Sequence, residues 1–313
     1  MAKSWLDLAL FSTYFPHMIA GPIMRFNTLS PQLDNFKPIS VQTINEGHFY
    51  FFRGILKKTV LADMLAYLFI DSVFDNPSNY SLLFIYLTTC IFAFQIYYDF
   101  SGYSDMAIGI SKYFNIELDT NFKYPYFSES PREFWRNWHI TLSNWFRDYI
   151  YIPVKGASLS KLRIGAALFL SFALSGIWHG AAVKFVLWGI YNAIGVLLCR
   201  KVKISSSFLS YRPVKIIYTF VFISTSWLLF RIPSISSLFK LKGLFIMSSE
   251  THNTIVCLLV ILFCFIMHYL EKHLTASRFL KCGYVVQCTT YILILVFATS
   301  MTAYSKQFIY FQF

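Results

Sequence analysis

The residues best suited to chemistry are histidines set in or beside charge-free runs, because an ionisable side chain in an apolar setting is costly unless it is paired or faces a watery cavity. His179 lies in Ser175-Gly176-Ile177-Trp178-His179-Gly180-Ala181-Ala182, at the end of an uncharged run that begins at Ile164. Burial there favours the neutral imidazole, which is the form a general base needs. Gly176 and Gly180 would let a substrate approach the backbone closely. The alternative is a helix–helix hydrogen bond or a helix-end residue at a membrane interface. His139 follows Phe134-Trp135-Arg136-Asn137-Trp138 and lies one helical turn from Trp135. By itself a histidine among tryptophans reads as a packed, hydrogen-bonded interface residue. The spacing of the two histidines does not say whether they meet.

A second constellation closes an apolar run at Gln95-Ile96-Tyr97-Tyr98-Asp99-Phe100-Ser101-Gly102-Tyr103-Ser104-Asp105. Gly102 permits a turn that would gather both carboxylates in one polar pocket. Glycosidase chemistry would need two carboxylates around a sugar, and nothing else in the sequence supports it. Pairing with Arg132, Arg136 or Arg147 is the expected role. Arg25, just after Gly21-Pro22, is a further charge at the edge of an apolar run. Several chemistries lack their pattern: there is no Gly-x-Ser-x-Gly elbow, no Walker loop and no Gly-x-Gly-x-x-Gly. His252, His268 and His273 form no metal-ligand set, so no metal site is expected. The six cysteines, Cys90, Cys199, Cys257, Cys264, Cys282 and Cys288, include no C-x-x-C pair and read as buried apolar thiols.

These residues must be positioned by a chain of 313 residues that is 56% hydrophobic and only 13% charged, with a mean hydropathy of +0.52. A soluble domain is about 25% charged, so the composition points to one polytopic membrane domain. The net charge of +12 would suggest nucleic-acid binding in a soluble protein. Here the basic residues lie between apolar runs, where membrane topology accounts for them, and no nucleic-acid partner is expected. Apolar stretches near 80–98, 164–183, 185–199, 216–230, 251–270 and 283–304 are the candidate spans. The pair around Lys184 reads as two short helices with a turn near Gly180, or as one broken helix. The run Leu8–Met24 contains Pro16, Gly21 and Pro22 and reads as kinked or re-entrant. Residues 200–215 carry Arg200, Lys201, Lys203, Arg212 and Lys215 without an acid, which assigns that loop to the cytoplasm together with 271–282, opposite 231–250. Ser130-Pro131-Arg132-Glu133 starts a helix with a capping box. That helix would place Phe134, Trp138, Leu142, Trp145 and Tyr149 on one stripe and lie in the membrane interface.

Two long segments, YYDFSGYSDMAIGISKYFNIELDTNFKYPYFSESPREFWRNWHITLSNWFRDYIYIPVKG (97–156) and SGIWHGAAVKFVLWGIYNA (175–193), resemble the membrane-bound O-acyltransferase family, and within it the membrane subunits of alginate O-acetylation. YFPHMIAGPIMR (14–25), WLLFRIPSISS (227–237) and FIYFQF (308–313) extend the likeness over nearly the whole chain. The resemblance implies an all-α, polytopic membrane fold with broken or re-entrant and interfacial amphipathic helices. It would form a single domain over residues 1–313 that lacks the N-terminal helices of typical relatives. It implies transfer of an acetyl group to a hydroxyl of an exported or cell-surface polysaccharide, with His179 as general base or relay and His139 in support. Trp178, Asp99, Tyr103, Asp105, Arg136 and Trp138 would line or brace a substrate funnel. No bound cofactor is expected; acetyl-CoA or another acyl thioester would be the donor. The partners would be the lipid bilayer, an extracytoplasmic acetyltransferase and the polysaccharide acceptor, at a bacterial inner membrane. The alternatives are D-alanyl transfer to teichoic acid, a truncated non-catalytic membrane protein, and a transporter built on broken helices.

Overall fold

The computed structural model describes residues 4–35, 38–157, 160–201, 211–241 and 243–308. The basic loop 200–215 and the FIYFQF ending, on which two sequence expectations rest, fall largely outside the described residues. Among the described residues the chain is helical, and its β pairing is confined to one parallel bridge between Ser81 and Gly243. The main helices are α1 (Trp5–Thr13), α2 (Phe26–Asp34), α3 (Val41–Ile55), α4 (Leu82–Lys112), α5 (Pro131–Asn137), α6 (Ile140–Phe146), α7 (Lys161–His179), α8 (Val183–Lys201), α9 (Arg212–Arg231), α10 (Thr251–His273) and α11 (Tyr284–Ser300).

Among the described residues four helical stretches can cross a membrane by length and composition: α4, α7, α9 and Ser248–His273, which contains α10. At 1.5 Å per residue a 19-residue helix such as α7 is about 28 Å long, close to the thickness of the hydrocarbon layer. Val183–Cys199 of α8 and α11 itself are apolar but shorter. The six apolar runs of the sequence thus correspond to these six helices. The run around Pro16 is broken as expected: α1 stops at Thr13, one turn covers Phe15–Met18, and the chain is irregular up to Arg25.

The chain divides into two compact, interleaved units, one of Met1–Leu65, Gln95–Asn121 and Met267–Gln312, the other mainly of Ala66–Phe94 and Phe122–Ile266. In the first unit, α3 crosses the second half of α4 at two glycine pairs. A Cβ on Gly54 would stand 2.5 Å from the Gly102 carbonyl oxygen, and one on Gly109 would stand 2.7 Å from that of Gly47. Bare backbones meet at both places, the small-residue contact that lets helices associate in lipid without a hydrophobic driving force.

The second unit is built on the α7/α8 hairpin. Here a Cβ on Gly176 would run into the Phe185 carbonyl, and one on Gly189 into the Phe172 carbonyl. Helix α9 joins this pair through a stacked Tyr191–Phe222 contact at 4.5 Å. Its C-terminal end is held by Lys184, whose Nζ donates to the carbonyls of Phe230 (3.2 Å) and Ile232 (2.9 Å), a favourable place for a cation. The start of α4 is fixed by Glu250, which accepts hydrogen bonds from the Ser81 amide at 2.8 Å and the Ser81 hydroxyl at 2.7 Å.

The interfacial helix expected from Pro131 onward is corrected in two respects. Its start is as the sequence indicates, since Ser130 Oγ accepts from the Glu133 amide at 3.2 Å. The carboxylate of Glu133, however, accepts from the Glu129 amide, one residue ahead of the cap. The helix then breaks between α5 and α6 at His139, which has a left-handed backbone with φ of 40°. Phe134 and Trp138 are buried among protein side chains, while Trp145 and Tyr149, at the far end of the expected stripe, are exposed. The break rotates the two halves, so no single stripe faces lipid.

Replacing Gly176 by Leu should separate α7 from α8, because no rotamer avoids a backbone carbonyl. The expected loss is at least about 1–3 kcal/mol, read as a lower midpoint of unfolding in detergent, whereas Leu at Gly283, around which a Cβ would meet nothing within 4 Å, should leave it unchanged.

Candidate active site

His179 is the last helical residue of α7, and Gly180 ends the helix with φ of +155°. No other residue fits there: besides the backbone conformation, a Cβ would lie 2.6 Å from the Phe185 ring. This turn sends the chain back into α8 and leaves the imidazole among aromatic rings from three sources. Trp188 of α8 meets it edge-to-face at 5.2 Å and 85°, Phe230 of α9 at 5.2 Å and 78°, and Trp178 at 4.9 Å. The imidazole is half-buried, while Trp178 is itself largely exposed.

The break at His139 positions the second imidazole. The Trp138 amide donates to Phe134 O at 2.8 Å, closing α5, and the Ser143 amide donates to His139 O at 3.0 Å, opening α6. A left-handed backbone at a non-glycine residue costs about 1–2 kcal/mol, and such strain persists where the surroundings enforce it. His139 is buried. Burial first, and the neighbouring His179 second, push its imidazole down to about 3.

The two histidine blocks, whose spacing left their relation open, therefore meet in one aromatic cluster. Trp135 contacts Trp188 edge-to-face at 5.4 Å, Trp138 contacts Trp227 at 5.0 Å, and Trp227 stacks on Trp188 at 6.2 Å. Asn192 ties α5 to α8 by accepting from Trp135 Nε1 at 3.2 Å while donating to Trp188 O at 2.9 Å. The sequence pattern singled out His179, His139, Trp178 and Trp138 but not Trp188, Asn192 or Phe230. All three lie inside segments that carry the family resemblance, 175–193 and 227–237, which was the signal that could have found them.

The remaining candidates are placed differently. Arg136 is exposed on α5. Asp99, Tyr103 and Asp105 belong to the other compact unit, where the two carboxylates are part of a buried ion network. Asp105 accepts from Arg53 Nε at 2.8 Å and Nη2 at 2.7 Å and from Lys57 Nζ at 2.7 Å. Lys57 also pairs with Glu271, which accepts from the Tyr97 hydroxyl at 2.9 Å. Lys58 stands between Asp99 and Asp63, 2.7 Å from each. The cations holding these acids come from the end of α3 and the turn after it, a source the expectation of Arg132, Arg136 or Arg147 did not include. Tyr103 lies against Phe308 at 5.1 Å. Among the described residues no three His, Cys, Asp or Glu side chains gather as metal ligands.

Two outcomes follow from this geometry. Replacing Lys57 by Met should destabilise the protein by about 3–5 kcal/mol, because Asp105 and Glu271 would lose a buried counter-charge; thermal unfolding in detergent reads this. For His139 the folded state binds its proton less readily than the unfolded chain. Its contribution to stability is therefore complete above pH 6.5 and is lost as the pH falls from 6.5 toward 3, by at most about 1.4 kcal/mol per pH unit. His139→Gln should flatten the fall of the unfolding midpoint across that window.

The sequence of residues 3–242 matches the profile described as MBOAT, membrane-bound O-acyltransferase family. The chain is 39% identical over 246 residues to a peptidoglycan O-acetyltransferase of Helicobacter pylori, covering 77% of this chain and 46% of the relative. It is 38% identical over 228 residues to a probable alginate O-acetylase of Pseudomonas aeruginosa, covering 72% and 43%. It is 29% identical over 199 residues to a teichoic acid D-alanyltransferase of Bacillus subtilis, covering 60% and 49%. The chain thus spans about half the length of the curated relatives it matches. Both histidine blocks and the helices that carry them lie inside the matched residues, and the chain belongs to the membrane-bound O-acyltransferase family.

Proposed function

We propose that the chain is an O-acyltransferase that moves an acetyl group from a thioester donor to a hydroxyl of a cell-envelope glycan, with His179 as the general base. The observation that carries this reading is the meeting of the two histidine blocks on one tryptophan cluster, with His139 buried and His179 half-buried against Trp188. Family membership and the named O-acetyltransferase relatives support the reaction type.

In the proposed step a neutral His179 takes the proton of the acceptor hydroxyl as its oxygen attacks the thioester carbonyl carbon. The C–O bond forms and the C–S bond breaks. The thiolate leaves with the electron pair of that bond and recovers the proton from the imidazolium, so the products are the ester and a free thiol. His139, held neutral by burial, can hydrogen-bond without introducing a second positive charge beside the forming imidazolium. The space beside Gly180 is taken by the Phe185 ring, so substrate would approach along the exposed Trp178. Acetyl-CoA or another acyl thioester would be the donor. The acceptor class would be an exported polysaccharide such as alginate, or peptidoglycan. The bacterial inner membrane and an extracytoplasmic acetyltransferase partner complete the reading. D-alanyl transfer to teichoic acid is the second reading, favoured by the lower but extended identity to the teichoic acid enzymes.

The test is the ester-linked acetyl content of envelope glycans in cells lacking the chain, expressing it, or expressing His179→Ala. Acetylation should return with the unmodified chain and fall by about 10²–10⁴-fold in initial rate with the variant, the usual contribution of a general base. Equal acetylation with either chain would remove His179 from the mechanism. D-alanyl ester appearing in place of acetyl would favour the second reading.

A further inference from the structure

We infer that the indole N–H of Trp188 is a hydrogen-bond donor to the acyl carbonyl oxygen during transfer. The inference rests on the acyl-transfer reading above and assigns a further catalytic residue to it.

Trp188 is 2% exposed, and its Nε1 is buried without a hydrogen-bond partner. Buried indole donors ordinarily find an acceptor, and one that does not calls for a reason. The same cluster shows the ordinary arrangement at Trp135, whose Nε1 donates to Asn192 Oδ1 at 3.2 Å. Asn192 is anchored to the backbone of Trp188 itself, through Nδ2 and the Trp188 carbonyl at 2.9 Å. The Asn192 carbonyl oxygen, held beside Trp188, is thus directed to the Trp135 indole.

Trp227 Nε1 in the same cluster is likewise buried without a partner, but of these two indoles it is Trp188 whose ring meets the His179 imidazole, edge-to-face at 5.2 Å. That ring is also held against Trp135 at 5.4 Å, Phe230 at 5.6 Å and Trp227 at 6.2 Å. A ring packed on so many sides cannot turn away, so its N–H is fixed in place before substrate arrives. Acyl transfer at His179 requires such a group, because negative charge develops on the carbonyl oxygen as the acceptor attacks, and fixed donors in a water-poor site are the most effective stabilisers of that charge. The neighbouring cation, Lys184, is engaged with the carbonyls of Phe230 and Ile232.

The experiment compares the full chain with Trp188→Phe and with Trp188 replaced by 3-benzothienylalanine, which keeps the two-ring shape and exchanges N–H for sulfur. Membrane vesicles are assayed with acetyl-CoA as donor and the host's envelope glycan as acceptor, alongside His179→Ala. Both Trp188 variants should lose about 10²-fold in kcat with KM for acetyl-CoA within about threefold, and the benzothienyl variant, which keeps the ring's volume, should have an unchanged unfolding midpoint, the pattern of a donor acting in the transition state. A benzothienyl variant as fast as the unmodified chain would overturn the inference, even if Trp188→Phe is slow, because the ring's shape and not its N–H would then matter. Loss of rate that follows loss of folded protein would likewise overturn it. If His179→Ala also retains the rate, or the unmodified chain transfers no acetyl, the acyl-transfer reading itself fails. Activity lost in His179→Ala but kept in the benzothienyl variant removes Trp188 alone.

Discussion

The second unit depends on one backbone conformation, that of Gly180. Its φ of +155° is open only to glycine, and its missing side chain is what admits the Phe185 ring. Because the chain can turn there, α8 returns along α7 at backbone-contact distance, and Gly176 and Gly189 keep the two helices at that distance. Trp188 consequently arrives beside His179, Asn192 reaches Trp135 on α5, and Lys184 reaches the end of α9. A bulkier residue at this corner would displace each of these contacts together. The corner is therefore both a folding element and the device that positions the imidazole.

The two units solve the problem of buried polarity in different ways. In the first, Arg53, Lys57 and Lys58 face Asp63, Asp99, Asp105 and Glu271, so that each buried charge is met by opposite charge and by hydrogen bonds such as that from Tyr97. Such a network is a weak source of net stability but is sensitive to the loss of any member. In the second, His179 is surrounded by aromatic rings and His139 lies buried near it. Imidazoles survive there because they can shed their charge, which a guanidinium cannot do. A proton-transferring group belongs in the second kind of environment, where a low dielectric strengthens fixed dipoles.

Much of the architecture was legible in the sequence because the bilayer imposes long charge-free runs, and six such runs correspond to α4 and α7–α11. Gly180 marked its own turn. The Ser130 cap was readable because its signal is local. The break at His139 was not, since nothing in Trp138-His139-Ile140 specifies a left-handed residue; tertiary packing of Trp138 against Trp227 and Phe134 imposes it. For the same reason the stripe from Phe134 to Tyr149 looked like one amphipathic face when its first half is core. The partners of Asp99 and Asp105 were hidden because Arg53, Lys57 and Lys58 are distant in sequence. The role of Asn192 was equally hidden, as an amide in an apolar helix gives no hint of which indole it serves.

The left-handed residue His139 has a consequence for how this sequence can drift. Glycine would relieve the backbone strain of about 1–2 kcal/mol, although histidine, like asparagine, tolerates this conformation better than most side chains. Imidazole burial adds its own cost in acid. Selection for folding alone thus pulls position 139 away from histidine, and a histidine kept there records a demand that competes with stability.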